Sequence, residues 1–287
     1  MTSVLLATFA LLPDGEPGGD HLVAALAARG IDARWVSWDD RDVDWAAADL
    51  VAVRATWDYH RRCGDFLAWA RKVDGATTLL NGGDVFTWNA DKAYLVAIAD
   101  RVPVVPSLLV DDTDLLGGLR AGLERFGPVV VKARTGASGV GVVQAERTDD
   151  HRLSGLTAGP WIVQPLVESV RTRGETSVFV LDGVAVSQVD KLPGGDEIRV
   201  HEQFGGVSRP VPLGDETAAV AVAVIREVST LFGRPLDYGR VDLMEHDGRL
   251  VVSELELIEP GLYLDVLPEN AGPFADLVAA RVMQHLG

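Results

Sequence analysis

Two glutamates and one aspartate near the end of the chain have the spacing of a metal site. Residues 239–257 are predicted to form a β-hairpin, because Asp247-Gly248 is a strong turn signal. Glu254 and Glu256 are two residues apart, so both side chains project from one face of their strand. With Asp242 on the same face, the three carboxylates would repel each other unless a cation lay between them, and such oxygen ligands suit Mg²⁺. The alternative is an edge strand with a solvated acidic face.

The register of this hairpin decides whether Asp242 shares that face. A turn made of residues 246–248 places Asp242 opposite Val252, on the face of the glutamates, whereas a two-residue turn places it on the other face. We expect the three-residue turn. Arg240 then lies on the same face, where it could neutralise a transferring phosphoryl group.

A glycine-rich loop within residues 129–143 is a second candidate site. Two β-branched runs flank the loop, whose backbone N–H groups can approach an anion closely, and Lys132 adds a positive charge. The chain continues as a strand after the loop, so it matches neither the P-loop nor the dinucleotide fingerprint, both of which lead into a helix. An ordinary hairpin with a flexible tip is the alternative. The loop positions of interest are Gly136, Ser138, Gly139 and Gly141.

Lys92 occupies a position where a cation is unfavourable unless it binds an anion. Residues 88–95 predict the start of a helix with Asn89 as its N-cap, which places Lys92 in the first turn, beside the positive end of the helix dipole. A nucleotide phosphate would explain a lysine at this position. A solvated surface lysine is the alternative.

The composition restricts the partners of the chain. The formal net charge of −16 over 287 residues argues against nucleic acid and anionic membranes, which require a concentrated positive field. No apolar run approaches the roughly 20 residues that span a bilayer. The N-terminal residues resemble a first strand more than a signal peptide, and the single Cys63 fits a reducing compartment, so we expect a cytoplasmic protein. The sequence does not decide between a monomer and a homodimer.

Strands and helices alternate in a way that predicts an α/β plus α+β architecture. We expect an N-terminal open α/β domain over residues 1–89, a central lobe over 90–164 and a C-terminal lobe over 165–287. The predicted strands are 4–9, 33–36, 50–54, 77–80, 104–110, 128–134, 161–164, 175–181 and 184–189, and the predicted helices are 21–28, 66–73, 114–126, 215–232 and 273–286.

Two further segments could form the wall of a substrate site. Arg54, Asp58 and Tyr59 follow a predicted strand, at the edge where open α/β sheets bind ligands. Residues 194–206 are polar and rich in glycine, as expected for a mobile loop over a site. The alternatives are aromatic packing with an Arg54–Asp58 ion pair, and an irregular surface loop. The residues of interest in the second segment are Arg199, Gly205 and Gly206.

The order and spacing of these motifs, from about Trp88 to Asp265, resemble the ATP-grasp superfamily. The resemblance implies an ATP-grasp fold that follows an N-terminal α/β domain, with ATP and Mg²⁺ as cofactors. It also implies roles for individual residues. The phosphates would be held by Lys92, Lys132 and the loop from Gly136 to Gly141, adenine would be contacted by Gln164, Leu166 and Val167, and the ribose by Glu175. Mg²⁺ would be bound by Asp242, Glu254 and Glu256, and the catalytic cations would be Lys191, Arg199 and Arg240. An amino-acid-like substrate would be surrounded by Arg54, Asp58, Tyr59, Gly205 and Gly206.

The implied activity is that of a carboxylate–amine ligase, in which ATP converts a carboxylate to an acyl phosphate that an amine then attacks. The nearest resemblance is to the group that closes O-ureido-D-serine to cycloserine, which has similar segments at 54–59 and 88–92 and a similar Glu-Leu-Glu-Leu strand. Glutathione synthetases and D-alanine–D-alanine ligases are similar more broadly, but they usually have Asn where this chain has Glu256. A small-molecule phosphotransferase and a non-catalytic nucleotide sensor are the alternatives.

Overall fold

The first third of the chain forms a parallel four-stranded sheet. The structure is a computed structural model and describes residues 2–286, with side chains described as far as residue 284. The strands are runs of apolar residues because both faces of the sheet are covered by helices or by the rest of the protein. Its elements are β1 (Thr2–Thr8), α1 (Gly19–Ala27), β2 (Ile31–Ser37), β3 (Leu50–Val53), α2 (Cys63–Asp74) and β4 (Thr78–Leu79), with strand order β2-β1-β3-β4.

Two short helices, α3 (Gly83–Asn89) and α4 (Tyr94–Ile98), follow this sheet. The predicted helix start at Asn89 is wrong, because Asn89 is the last residue of α3. Its side chain donates a hydrogen bond to Leu255 O and accepts one from Leu257 N, both at 2.8 Å. Lys92 therefore lies in the turn between the two helices, where its N–H donates to Arg134 O at 2.9 Å, and the helix-dipole argument does not apply to it.

The second sheet is antiparallel and carries the glycine-rich loop. Its elements are β5 (Leu108–Val110), α5 (Leu115–Phe126), β6 (Val129–Ala133), β7 (Val143–Ala145) and β8 (Trp161–Pro165), with strand order β5-β8-β6-β7. The predicted hairpin over 128–143 is confirmed, since Val129 pairs with Ala145 and Val131 with Val143. Residues 134–142 connect the two strands, so the loop extends from the end of a sheet whose other face is covered by α5.

The third sheet carries the acidic hairpin. Its elements are β9 (Glu175–Leu181), β10 (Val184–Leu192), β11 (Val207–Val211), α6 (Asp215–Phe232), β12 (Tyr238–His246), β13 (Arg249–Glu256) and α7 (Ala271–Leu286), with strand order β11-β10-β9-β12-β13. Helix α6 packs Val224, Ile225 and Val228 into one apolar core with β12 and β13, and Phe274 of α7 joins a core that includes residues of β1. The first and third sheets thus share a core, which fixes the position of the acidic strands relative to the N-terminal domain.

The turn of the acidic hairpin differs from the expected one. His246 pairs with Arg249, so the turn has two residues, Asp247 and Gly248, and both have positive φ (51° and 74°) as this tight turn requires. The expected three-residue turn, with Asp242 opposite Val252, is therefore wrong.

A β-bulge nevertheless returns Asp242 to the face of the glutamates. Leu243 pairs with Val252, but Asp242 pairs with Glu254, so one extra residue, Ser253, is inserted in β13. Ser253 Oγ lies 3.0 Å from Asp242 O and 2.7 Å from a carboxylate oxygen of Glu175. Ser253 thus shifts the register between β12 and β13 by one residue, and its hydroxyl also connects the bulge to Glu175 at the start of β9.

Candidate active site

A cavity of about 490 Å³ lies between the second and third sheets and reaches the N-terminal domain. Its volume is in the range of small-molecule sites, roughly 300–1,000 Å³. The second sheet contributes Lys132 and Gln164, and the third contributes Asp242. Most of the predicted site residues are brought together here: Tyr59, Lys92, Lys132, Gly136, Ser138, Gly139, Gln164, Leu166, Val167, Glu175, Arg199, Arg240, Asp242, Glu254 and Glu256.

Cations neutralise the carboxylates on the third sheet. The Arg240 guanidinium donates two hydrogen bonds of 2.9 Å to Asp242 and another to Glu256. Lys191 Nζ lies 3.2 Å from Asp242 and 2.5 Å from Glu175. Burial alone would raise the pKa of Asp242, but Arg240 and Lys191 outweigh it and hold that pKa well below its usual range. Lys191 itself is buried and is not among the residues that line the cavity, so the expected contact with the γ-phosphate is not supported for it.

Lys92 connects the acidic strand to the glycine-rich loop. Its ammonium donates a hydrogen bond of 2.7 Å to Gly136 O and lies 3.0 Å from Glu254. Burial tends to raise the pKa of Glu254, but Lys92 and Lys132 lower it to about 2, so this carboxylate is ionised at neutral pH. The same lysine therefore positions the loop and neutralises a predicted metal ligand.

Lys132 differs from Lys92 in that its ammonium has no hydrogen bond or ion pair with any residue between 2 and 286. Burial lowers its pKa, and Lys92 lowers it further, whereas Glu254 opposes this shift. A cation without a partner that lines a cavity is suited to bind an anionic ligand such as a phosphate.

The predicted metal ligands have oxygen donors that suit Mg²⁺, but in this structure each of them is paired with a lysine or arginine side chain. Within the described part of the chain, no cluster of three His, Cys, Asp or Glu side chains is arranged to hold a metal ion. Burial, together with Asp242 and Glu254, raises the pKa of Glu256 to about 7, although Arg240 opposes this. Asp242, Glu254 and Glu256 are therefore matched by Arg240, Lys191 and Lys92, and a metal ion would have to displace some of these ion pairs to bind there.

Two loops meet above the cavity. Gln203 Nε2 donates a hydrogen bond of 2.5 Å to Ser138 O, and a Cβ at Gly139 would lie 2.7 Å from His201 Nδ1. Gly139 has φ of 67°, so both its backbone and the space around it require glycine. Burial and Lys191 lower the pKa of His201 to about 4, so it is neutral at physiological pH. Residues 194–206 thus cover the glycine-rich loop, and the Arg199 guanidinium lies 3.5 Å from the Phe204 ring centroid.

Not all of the predicted glycines line the cavity. Gly136 lines the cavity, whereas Gly205 and Gly206 do not, so the expected substrate contact is not supported for these two. A Cβ at Gly206 would lie 2.1 Å from Val200 O, which shows that this glycine permits a close backbone approach inside the loop. Gly141 also lies outside the cavity lining, packed against Thr157.

Arg54 and Asp58 also lie outside the cavity lining. Arg54 is fully buried, donates a hydrogen bond to Pro260 O, and lies 3.4 Å from Glu16. Asp58 accepts a hydrogen bond of 2.9 Å from the Trp38 indole. The expected direct substrate contacts are therefore not supported for this pair; Arg54 instead holds the backbone that follows the acidic strand.

Sequence reasoning missed several residues of the cavity. Glu16 lies in the loop after β1 and accepts a hydrogen bond of 2.6 Å from Leu262 N. The rule that selected Arg54, a position beyond the end of a parallel strand, applies equally to Glu16 and could have found it. Glu259 and His201 also line the cavity. Neither has a local pattern that marks it, because Glu259 simply follows the predicted strand and His201 lies in an irregular loop.

Residues 102–263 match the RimK-like ATP-grasp domain family, and residues 4–81 match the N-terminal domain of D-cycloserine synthetase DcsG. The chain therefore belongs to the RimK-like ATP-grasp family. It is 32% identical over 279 residues to the cycloserine biosynthesis protein DcsG of Streptomyces lavendulae, which covers 91% of this chain and 92% of the relative.

Solved structures agree with this assignment. The crystal structure of D-cycloserine synthetase DcsG superposes with a TM-score of 0.87 at 31% identity and covers 98% of this chain and 99% of that one. A D-alanine–D-alanine ligase from Bacillus anthracis has a TM-score of 0.69 at 14% identity, with both chains fully covered, and shares the fold. The predicted ATP-grasp fold with an N-terminal domain is confirmed, and the chain is an ATP-dependent ligase that forms C–N bonds.

None of the helices in residues 2–286 combines the length and apolar character needed to cross a membrane.

Proposed function

We propose that the chain activates the carboxylate of an amino-acid-like substrate with ATP and closes the resulting acyl phosphate into a ring. The observation that carries this proposal is the composition of the cavity between the second and third sheets. Cations such as Lys132, which are suited to bind phosphate, line one part of it, and side chains of the N-terminal domain, among them Glu16 and Tyr59, line another. The similarity to the cycloserine biosynthesis protein over both regions supports ring closure over the joining of two molecules.

In this proposal the cations of the cavity bind ATP. Lys132 offers its unpaired ammonium to a phosphate, and Lys92 can exchange its contacts with Glu254 and Gly136 for another. The adenine contacts are the predicted ones, Gln164, Leu166 and Val167, with Glu175 for the ribose. Asp242, Glu254 and Glu256 would hold Mg²⁺, which would neutralise phosphate charge.

The reaction then requires positioning and charge neutralisation but no protein nucleophile. A carboxylate oxygen of the substrate attacks the γ-phosphorus, and the P–O bond to ADP breaks. A substrate N–H nitrogen then attacks the acyl carbon, phosphate leaves, and the nitrogen gives its proton to the departing phosphate or to water. Arg240, held by Asp242 and Glu256, supplies a fixed positive charge on the acidic face. The contact between Gln203 and Ser138 closes the roof of the cavity, which would protect the acyl phosphate from water.

The decisive experiment is turnover with O-ureido-D-serine and Mg-ATP. We expect ADP, free phosphate and cycloserine in equal amounts, with the carbamoyl group of the ureido nitrogen released by water as carbon dioxide and ammonia. Coupled assay and mass spectrometry measure these products, and the Glu254→Gln variant should show no turnover. A stable phosphorylated product without free phosphate would contradict ligation. Turnover only with pairs of an amino acid and a separate amine would contradict ring closure. The absence of ADP with every substrate tried would favour a nucleotide-binding module.

A further inference from the structure

Glu259 differs from the other carboxylates that line the cavity and are withdrawn from solvent. The others have cationic neighbours: Glu16 has Arg54, Glu175 has Lys191, Glu254 has Lys92, and Asp242 and Glu256 have Arg240. Glu259 is only 7% exposed. Within residues 2–286, its carboxylate has no ion pair and accepts a hydrogen bond from its own backbone N–H but from no other residue. A buried carboxylate without a partner is costly unless a ligand supplies one.

Glu259 lies between the N-terminal domain and the part of the cavity that is proposed to bind phosphate. It lies three residues beyond Glu256, and Trp57 Nε1 donates a hydrogen bond of 3.3 Å to its backbone oxygen. Burial raises the pKa of the Tyr59 hydroxyl well above its usual range, and Glu259 is the charge that adds most to this effect. The Glu259 carboxylate is therefore close enough to the Tyr59 hydroxyl to influence it, and Glu259, Trp57 and Tyr59 all line the cavity.

The charges around Glu259 leave room for a cationic ligand group. Burial and Glu256 together raise its pKa to about 8, although Lys92 and Arg240 oppose this without forming an ion pair. The other titratable groups that face it are the hydroxyls of Tyr59 and Tyr238, which bring no positive charge. A positively charged group in contact would stabilise the ionised carboxylate.

We infer that Glu259 binds the ammonium group of the amino-acid-like substrate and so selects amino acids over carboxylic acids that lack an amino group. The inference rests on the proposed function, which makes the substrate an amino acid derivative. A charged hydrogen bond in a cavity of this kind gives roughly 10- to 150-fold discrimination, because an analogue without the amino group leaves the carboxylate unpaired.

The test compares O-ureido-D-serine with 3-(ureidooxy)propanoic acid, which is the same molecule without the amino group. In the wild-type enzyme we expect kcat/KM to favour the amino compound by at least about 10-fold. In Glu259→Gln this preference should disappear, mainly through a higher KM for the amino compound, while kcat/KM for the analogue stays the same or rises. Glu269→Gln is the matched control, since Glu269 is exposed and outside the cavity.

Two results would overturn the inference. An equal loss of kcat/KM for both compounds in Glu259→Gln would indicate a role that does not depend on the ammonium group, such as proton transfer. An unchanged preference would show that another residue binds the ammonium. Thermal unfolding checks the fold of the variant, which should be no less stable because a neutral amide replaces a buried carboxyl group. If the wild-type enzyme does not turn over O-ureido-D-serine, the proposed function fails, and the comparison uses an amino acid that supports ADP formation together with its deamino analogue.

Discussion

Replacing Lys132 with methionine should weaken ATP binding and, at the same time, stabilise the ligand-free protein. Methionine keeps much of the side-chain length but removes an ammonium that has no partner among residues 2–286. Lys92→Met is the matched comparison, because the same change there removes an ammonium with two partners, Gly136 O at 2.7 Å and Glu254 at 3.0 Å. Both variants should lose affinity for ATP, but their stabilities should change in opposite directions.

The expected magnitudes follow from these contacts. A hydrogen bond to a charged group contributes about 1.5–3 kcal/mol, so each variant should raise the Kd for ATP roughly 10- to 150-fold. Lys92→Met leaves Glu254 without its cation, and because that side chain is 30% exposed, we expect a loss of about 1–3 kcal/mol in the free energy of unfolding. Burial lowers the pKa of Lys132, so its charged form is less stable in the folded than in the unfolded protein, and its removal should raise the free energy of unfolding.

The pH dependence gives an independent check on Lys132. The destabilisation is present wherever the lysine is charged in the unfolded chain, and it disappears as the pH rises past the unfolded pKa of 10.5. The stability gain of Lys132→Met should therefore shrink between neutral pH and pH 10.5. Urea unfolding gives the stabilities, and calorimetry with a non-hydrolysable ATP analogue gives the affinities. A Lys132→Met protein that is less stable than wild type, or that binds the analogue with unchanged affinity, would refute this reasoning.

Other predictions concern the support of the site, its roof and its pH response. Arg54→Met should lower the free energy of unfolding by about 3–5 kcal/mol, because it leaves a buried carboxylate unpaired; chemical denaturation measures this, and a loss below about 1 kcal/mol would contradict it. Gly139→Ala should cost about 1–2 kcal/mol and reduce kcat, because it places a side chain at positive φ against the facing loop, whereas Gly136→Ala, with nothing nearer than 3.9 Å, should retain activity. Glu259 has a folded-state pKa near 8 against 4.5 when unfolded, so stability should fall as the pH rises from 4.5 to 8. Glu259→Gln should flatten that profile in thermal unfolding, and an unchanged profile would assign it to another group.

Local patterns predicted the elements of this fold well where each element is determined by nearby residues. The helix predicted at 215–232 is α6 (Asp215–Phe232), because acidic residues at its start, a regular apolar face and Gly233 at its end all lie within one segment. The helix predicted from Asn89 failed for the opposite reason. The side chain of Asn89 is used by the backbone of β13, 166 and 168 residues away, and no local pattern reports that contact.

The substrate wall shows a similar limit. The rule that ligands bind beyond the ends of parallel strands correctly indicated the region that contains Arg54, but it does not say which side chain reaches the cavity. Arg54 turns away from the cavity because the Phe274 ring, contributed by α7, lies 4.5 Å from its guanidinium and Pro260 O accepts its hydrogen bond. Both partners lie more than 200 residues further along the chain. A position at an edge is thus predictable from the sequence, whereas the direction of a side chain there depends on distant packing.

In the acidic hairpin, the turn rules alone predict one face of the sheet for Asp242, whereas the structure places it on the other. The turn chemistry of Asp247-Gly248 specifies two residues, and without interruption this register would put Asp242 on the face opposite Glu254. The bulge at Ser253 reverses that consequence, and a single inserted residue has no signature in an alternating pattern. The expectation that Asp242 shares a face with Glu254 and Glu256 was correct, although the three-residue turn from which it followed was wrong. Deleting Ser253 should therefore remove the bulge but keep both the two-residue turn and the pairing of Asp242 with Glu254. We expect a folded protein whose acidic face is intact but which has lost the contact from Ser253 to Glu175, as measured by thermal unfolding and ATP binding.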